Sequence, residues 1–296
     1  MSAQLNYAVV EWALAAVGGD HLVSTRGLRA DGPPWLLSYE ASGTERKVVL
    51  RVGPPDEAGE QEHEVRGIEL ARGAGIPVAG IIARGAASQA TLLLIEYVDG
   101  TSVQPLQPDN ARLAALGRIA ARISAIDPGS ADLPGVTHPI PGEDFDGMRA
   151  QTPQPLLIAA QERIATIAPD NPIGFVHGDL WSGNTLWRGD ELAAVIDWDC
   201  AGLGAAGVDL GRLRCDAAMC YGLNASDQVL NGWETEAGRP AESVAYWDAV
   251  AALSTPPDID WFVEGIAGMT GRPDLTKEVL RARRDAFLAN ALDRIL

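Results

Sequence analysis

The chain has 296 residues, 47% of them hydrophobic and 21% charged, with a formal net charge of −17. That length exceeds what one hydrophobic core comfortably closes, so two lobes are expected, and the composition argues against long disorder. The acidic balance excludes a partner bound through nucleic-acid phosphates, which demand a basic footprint, and no stretch is long and apolar enough to span a bilayer.

Residues 4–17 place Leu5, Val9, Trp12, Ala13 and Ala16 on one stripe, the spacing of an amphipathic helix. Glu11 interrupts its apolar run and no Lys or Arg precedes it, so a signal peptide is not expected. Two strands are expected at 35–40 and 47–52 around the turn-forming Ala41-Ser42-Gly43. A helix is expected at 57–74, stopped by Gly73, Gly75 and Pro77, and two more strands at 78–83 and 91–98. Over 110–126 the residues Leu113, Leu116, Ile119, Ile123 and Ile126 recur at three- and four-residue steps, which predicts an amphipathic helix ending at Asp127-Pro128. The change from strand-rich to helix-rich sequence puts a lobe boundary near 98–101, giving lobes 1–98 and 99–296. Residues 128–155, rich in Pro, Gly and Asp, read as a surface loop with an ordered turn or two. A helix near 156–167, a motif-bearing segment at 173–199 and several further helices complete the chain. Cys200, Cys215 and Cys220 are odd in number and form no CxxC pair, so free thiols in a reducing cytoplasm are expected.

The chemistry concentrates in 177–184, HGDLWSGN. Transfer of a phosphoryl group needs a carboxylate near the acceptor hydroxyl and oxygen ligands for a Mg²⁺ ion bridging the phosphates. His177, Asp179 and Asn184 match HxDxxxxN, in which the Asp takes the hydroxyl proton and the Asn holds metal. Two short strands around Gly189-Asp190 then lead to IDWD, 196–199, which sets Asp197 at a strand end as a second metal ligand. Singly, Asp179, Asn184 and Asp197 would also serve as turn caps. Their order and spacing together favour the site, and His177 reads as a packed, hydrogen-bonded loop residue. A zinc hydrolase built on His177 and Asp179 lacks the further ligands it would need.

With these motifs the chain resembles the aminoglycoside phosphotransferase and choline kinase family, which has a protein-kinase-like fold. The likeness extends to VVLR at 48–51, the run 64–78 ending in GIPV, LLLIEYVDG at 92–100 and AGLGAAGVDL at 201–210. HGDLWSGN also resembles fructosamine kinases. The resemblance implies an α+β fold of two lobes, the first small and β-rich and the second larger and mainly helical. It implies Mg²⁺ as cofactor, ATP or GTP as donor, and a hydroxylated small molecule as acceptor, such as an aminoglycoside or another antibiotic; fructosamine- or choline-type kinases and a catalytically silent nucleotide binder are the alternatives. Arg51 and Glu64 would form the nucleotide-clamping ion pair, Glu96, Tyr97 and Val98 the hinge that meets the base, and Asp209 a brace of the second lobe. On the residues alone, Glu64 is one solvated charge among Glu57, Glu60, Glu62 and Glu69, and Asp209 an ordinary acid at a helix start.

Arg51 departs from the Lys usual in such kinases. The chain has two lysines against 21 arginines, and Lys47, on the same strand face, is the fallback. The phosphate-covering loop at 29–34 holds only Gly32, and Ser124 stands where the family often has His. Asp216, Asp258, Asp260, Trp261 and Glu264 form an acidic and aromatic set that would hold a cationic acceptor. Exposed charges and core tryptophans account for the same residues. Likewise, the net acidity would draw in cationic substrates or serve solubility alone.

Overall fold

The structure, a computed structural model, describes residues 5–29 and 32–295. Helix α1 (Tyr7–Val17) begins where the Asn6 side chain accepts the Ala8 N–H and ends at Gly18 in the left-handed region. Residue 4, where this helix was expected to start, lies outside the described residues. Five strands follow, β1 (His21–Arg29), β2 (Gly32–Ala41), β3 (Thr44–Gly53), β4 (Ile81–Ala87) and β5 (Ala90–Glu96), with helix α2 (Ala58–Gly73) between β3 and β4. They form one antiparallel sheet in the order β1-β2-β3-β5-β4. β2 and β3 meet at Ser42-Gly43, both at positive φ, a two-residue turn whose twist matches that of the strands.

Strand β1 was not anticipated: its alternation is broken by register shifts between Leu22 and Ser24 and between Gly27 and Arg29. Of the loop expected at 29–34, residues 30 and 31 lie outside the described residues, while Arg29 ends β1 and residues 32–34 begin β2, with Arg29 paired to Gly32. The strand expected at 78–83 is displaced to β4. Val78 instead bridges Val195 in the mainly helical half of the molecule, where Pro77 O accepts the Val195 N–H at 2.8 Å.

The rest is mainly helical: α3 (Asn110–Ser124), α4 (Phe145–Gln151), α5 (Pro155–Ile164), α6 (Gly207–Tyr221), α7 (Leu223–Ala237), α8 (Val244–Leu253), the short α9 (Asp260–Val263) running into a π turn (Glu264–Gly268), and α10 (Lys277–Arg294). Four short strands interrupt it, β6 (Ile173–Val176) paired with β9 (Gly202–Ala205) and β7 (Thr185–Arg188) with β8 (Glu191–Val195). α3 buries the stripe expected of it, Leu113, Leu116, Ile119 and Ile123, and crosses α7 closely. A Cβ at Gly117 would lie 1.9 Å from Val229 O, so that crossing requires glycine. α4 is the ordered part of the stretch expected as loop, started by Asp144, which accepts the Gly147 N–H.

One core joins α1 to the sheet through Val9, Ala13, Trp35, Leu37, Leu50 and Leu94. Burying a Val or Leu of this set contributes roughly 1.5–3 kcal/mol. A second core packs Ile68 and Ala71 of α2 with Leu116, Trp198 and Leu210, so α2 is anchored to the helical half although the sheet flanks it in sequence. No helix among the described residues is long and apolar enough to cross a membrane.

Candidate active site

The loop 177–184 runs from β6 to β7, and β8 returns the chain beside it, so Asp197 emerges next to Asn184; Asn184 O accepts the Ile196 N–H at 2.9 Å. Asp197 sits in the left-handed region at φ +67°, a conformation that costs a non-glycine residue energy and persists only where the surroundings enforce it. Gly178, at φ +83°, is needed for a second reason: a Cβ there would lie 2.1 Å from Cys200 O. His177 is buried, with Nε2 3.0 Å from Ile196 O and Nδ1 accepting the Asp179 N–H, and its ring lies 4.5 Å from that of Trp198. It packs the loop, as the sequence suggested.

Asp179 is held on both carboxylate oxygens. Arg212 Nε donates to Oδ1 at 3.0 Å, and Asn184 Nδ2 donates to Oδ2 at 3.2 Å and to the Asp179 carbonyl at 2.9 Å. Burial pushes the Asp179 carboxyl up to about 6, against the opposing pull of Arg212. Asp209, two per cent exposed, accepts the N–H groups of His177 at 2.7 Å and Gly178 at 2.9 Å.

Arg51 reaches across from β3. Its Nη1 lies 2.8 Å from Glu64 Oε1 and 2.6 Å from Asp197 Oδ1, and its Nη2 lies 2.9 Å from Asp199 Oδ2. A planar guanidinium bridges carboxylates that a single ammonium would have to share at one point. Burial works against the Arg51 charge, but the three carboxylates more than offset it and hold the group firmly protonated. One positive charge cannot neutralise three negative ones, and burial pushes Glu64 up to about 7 despite Arg51, with Asp199 and Asp197 adding to the rise. Lys47 takes no part; its Nζ lies 5.4 Å above the Tyr97 ring.

A cleft of about 370 Å³ lies between the sheet and the helical half, and Arg51, Glu96, Tyr97, Val98, Asn184 and Asp197 all line it. Leu28 and Pro34 of the β1–β2 hairpin form part of its wall, as do Gly268 and Met269 after the π turn. Ser102 Oγ donates to Met269 O at 2.8 Å, which ties that turn to the segment after Val98. Glu96 uses its carboxylate on the Gly80 N–H, so its backbone is what it can offer the cleft.

The five expected acceptor-binding residues do not converge. Asp216 is buried and accepts the Ser182 N–H at 3.1 Å, which makes it another brace of the loop 177–184. Asp260 is exposed and paired with Lys277, Asp258 is half-buried and Glu264 exposed. Trp261 keeps an exposed indole beside the Phe262 ring. Ser124 donates to Ala121 O within its own helix.

Asp199 and Arg212 were missed. Asp199 could have been suspected from its place two residues after Asp197, and Arg212 from lying three residues after Asp209 on the same helix face. Asn184 and Asp197 offer oxygen donors into one cleft, the donor type a magnesium ion takes from a protein when phosphates and water complete its shell.

Comparison with known proteins gives these features a context. The chain matches the family model described as the phosphotransferase enzyme family over residues 35–253. Its fold is similar to that of a spectinomycin phosphotransferase in complex with ADP and spectinomycin, with TM-score 0.62, 15% identity, and 97% of this chain and 95% of that one covered. It is similar also to a macrolide 2'-phosphotransferase from Brachybacterium faecium, at TM-score 0.57 and 19% identity over 96% and 97% of the two chains. A thermostable variant of an aminoglycoside phosphotransferase, in ternary complex with AMP-PNP and hygromycin B, aligns at TM-score 0.58 and 18% identity over 97% and 99%. At such identities the likeness speaks for the fold, which is kinase-like. No curated protein matches the chain by sequence. With the matched span containing both HGDLWSGN and IDWD, the chain belongs to the phosphotransferase enzyme family.

Proposed function

We propose that the protein transfers the γ-phosphoryl group of ATP or GTP to a hydroxyl of a small molecule, with Asp179 as the base and Asn184 and Asp197 as magnesium ligands. The observation that carries this reading is the convergence of Arg51, Asn184 and Asp197 on one cleft, with Asp179 held beside Asn184. The nucleotide would lie under the β1–β2 hairpin with its base against Glu96, Tyr97 and Val98, where the lobes divide at about 98/99. Arg51 would contact its phosphates while Glu64 steadies the guanidinium.

The magnesium ion, when bound, neutralises charge on the transferring phosphates. Every other part falls to the protein's own residues. Asp179 accepts the acceptor's hydroxyl proton as the alcohol oxygen attacks phosphorus in line with the departing diphosphate. Asn184, donating to Asp179 and lining the cleft, fixes the distance between base and phosphate. Asp209 and Asp216 hold the loop backbone so that none of these groups must reorganise during transfer.

The complexes of similar enzymes with spectinomycin or hygromycin B make hydroxylated antibiotics the first acceptors to try, ahead of choline-like amino alcohols and ketosamines. Dispersal of the expected acidic set leaves only the net acidity of the chain as a reason to favour a cationic acceptor over a neutral one. A cytoplasmic setting accords with three free cysteines. The test is a diphosphate-release screen with ATP and GTP over aminoglycosides, macrolides, amino alcohols and ketosamines. Nucleotide binding without release from any acceptor would sink the reading in favour of a silent nucleotide binder.

A further inference from the structure

Helix α6 presents Asp209, Arg212 and Asp216 at positions i, i+3 and i+7, hence on one face, and that face holds the loop 177–184 at His177, Gly178, Asp179 and Ser182. Asp209 takes the N–H groups of His177 and Gly178, and Asp216 takes that of Ser182. Both acids act on backbone. Arg212, between them, reaches the one side chain on which the proposed chemistry turns, with Nε 3.0 Å from Asp179 Oδ1.

The rest of the arginine is spent differently from its buried neighbours. Arg214 grips Asp248 and Ser226 O, and Arg284 donates to Thr255, Pro256 O and Pro257 O, so each stitches several segments together. Among the described residues, the hydrogen bond to Asp179 is the only one Arg212's side chain makes, although it is only 3% exposed. Its Nη1 is buried without a hydrogen-bond partner, and its Cζ lies 5.6 Å from the Trp181 ring and 5.2 Å from the Phe262 ring. Those π faces fix the guanidinium plane and partly offset the cost of its burial. A buried cation with one hydrogen bond is a poor structural staple. It is well suited to hold one carboxylate oxygen still.

We infer that Arg212 is the positioning residue of the phosphoryl-transfer base: it pins Oδ1 of Asp179 so that Oδ2 keeps a lone pair turned to the acceptor hydroxyl. This rests on the reading of Asp179 as base. The carboxylate would otherwise be free to rotate about its last torsion, which is soft. Asn184, at 3.2 Å, is at the long end of a hydrogen bond and restrains it less than the charged donor at 3.0 Å.

The experiment takes water as the acceptor hydroxyl, or, where the native chain hydrolyses no ATP, the first acceptor found by the diphosphate-release screen. Single-turnover hydrolysis of magnesium ATP is measured for the native chain, Arg212→Met, Arg212→Lys, Asp179→Asn and the Arg212→Met/Asp179→Asn double variant, alongside ATP binding by calorimetry. Met keeps the contact with the two rings and removes the charge. The expected result is a maximal rate roughly ten- to hundredfold lower in Arg212→Met, the range of one charged hydrogen bond, with ATP affinity within about twofold of native. Lys should restore part of the rate, and Arg212→Met should cost nothing further once Asp179 is Asn. Losses that multiply in the double variant, or a Lys variant no better than Met, overturn the inference. Should Arg212→Met not fold, Arg212→Lys against Arg212→Gln decides the same point. If Asp179→Asn hydrolyses ATP at the native rate, the assignment of the base falls and this inference with it. If only the Arg212 variants are unaffected, the inference alone falls.

Discussion

Arg51 and Asp197 lie 146 positions apart in the chain and 2.6 Å apart in space. That ion pair joins strand β3 to the end of β8, and with Glu64 and Asp199 it makes one guanidinium the junction of the sheet, α2 and the segment 196–199. Replacing Arg51 with Met would strand three carboxylates. The expected outcome is a loss of about 1–3 kcal/mol in thermal or urea unfolding, discounted for the part of the side chain that water reaches, and ATP binding weaker by roughly ten- to a hundredfold. Arg51→Lys should fall between, since one ammonium cannot span Glu64, Asp197 and Asp199 together.

Asp179→Asn should lower phosphoryl transfer by roughly 10²–10⁴-fold while calorimetry still finds nucleotide bound. Retained turnover would remove Asp179 from the mechanism.

The same residue carries a pH signature. Burial lifts its carboxyl to about 6, so turnover should rise as pH passes that value and then level off. For stability the sign is opposite. A carboxyl whose folded pKa lies above its unfolded value favours the folded state while protonated, and this contribution is lost as pH climbs from about 4 to about 6. The stability of Asp179→Asn relative to the native chain should therefore rise as pH climbs through that range, whatever the constant cost of unpairing Arg212. A difference between the two chains that does not change with pH across that range would contradict the shift.

Asp209→Ala removes an acceptor from two buried N–H groups at the start of the loop 177–184. A destabilisation of about 2–4 kcal/mol in urea unfolding is expected, with a fall in maximal rate larger than any change in nucleotide affinity.

Gly178→Ala puts a methyl group against Cys200 O and forces a strained φ. The cost should be at least about 3 kcal/mol, seen as a lower unfolding midpoint, with activity lost to the displaced loop. A native-like midpoint would mean that the loop shifts more easily than its packing suggests.

Much of the fold was legible as periodicity. The stripe of α3 and the turn of β2–β3 depend on neighbours three, four or two residues away, and local sequence records them. Strand β1 was not legible because its alternation is broken, and β4 was misplaced because Val78 is drawn off by Val195, a partner far along the chain. In the site, HGDLWSGN and IDWD announced Asp179, Asn184 and Asp197 through residue type and spacing. They said nothing of Arg212, whose effect on Asp179 depends on how α6 is set against the loop. Asp216 shows the same gap in reverse, since an acid that looked available to a substrate is spent on Ser182 N–H.

By itself the sequence determined which groups are present to move a phosphoryl group, because carboxylate, amide and guanidinium chemistry resides in the residues and their local spacing. Tertiary structure decided which of them meet. Whether Arg51 or Lys47 faces Glu64, and whether Arg212 holds Asp179, depends on strand register and on how helices seat against one another. Those outcomes are set by burial summed over the whole chain, which no single motif encodes.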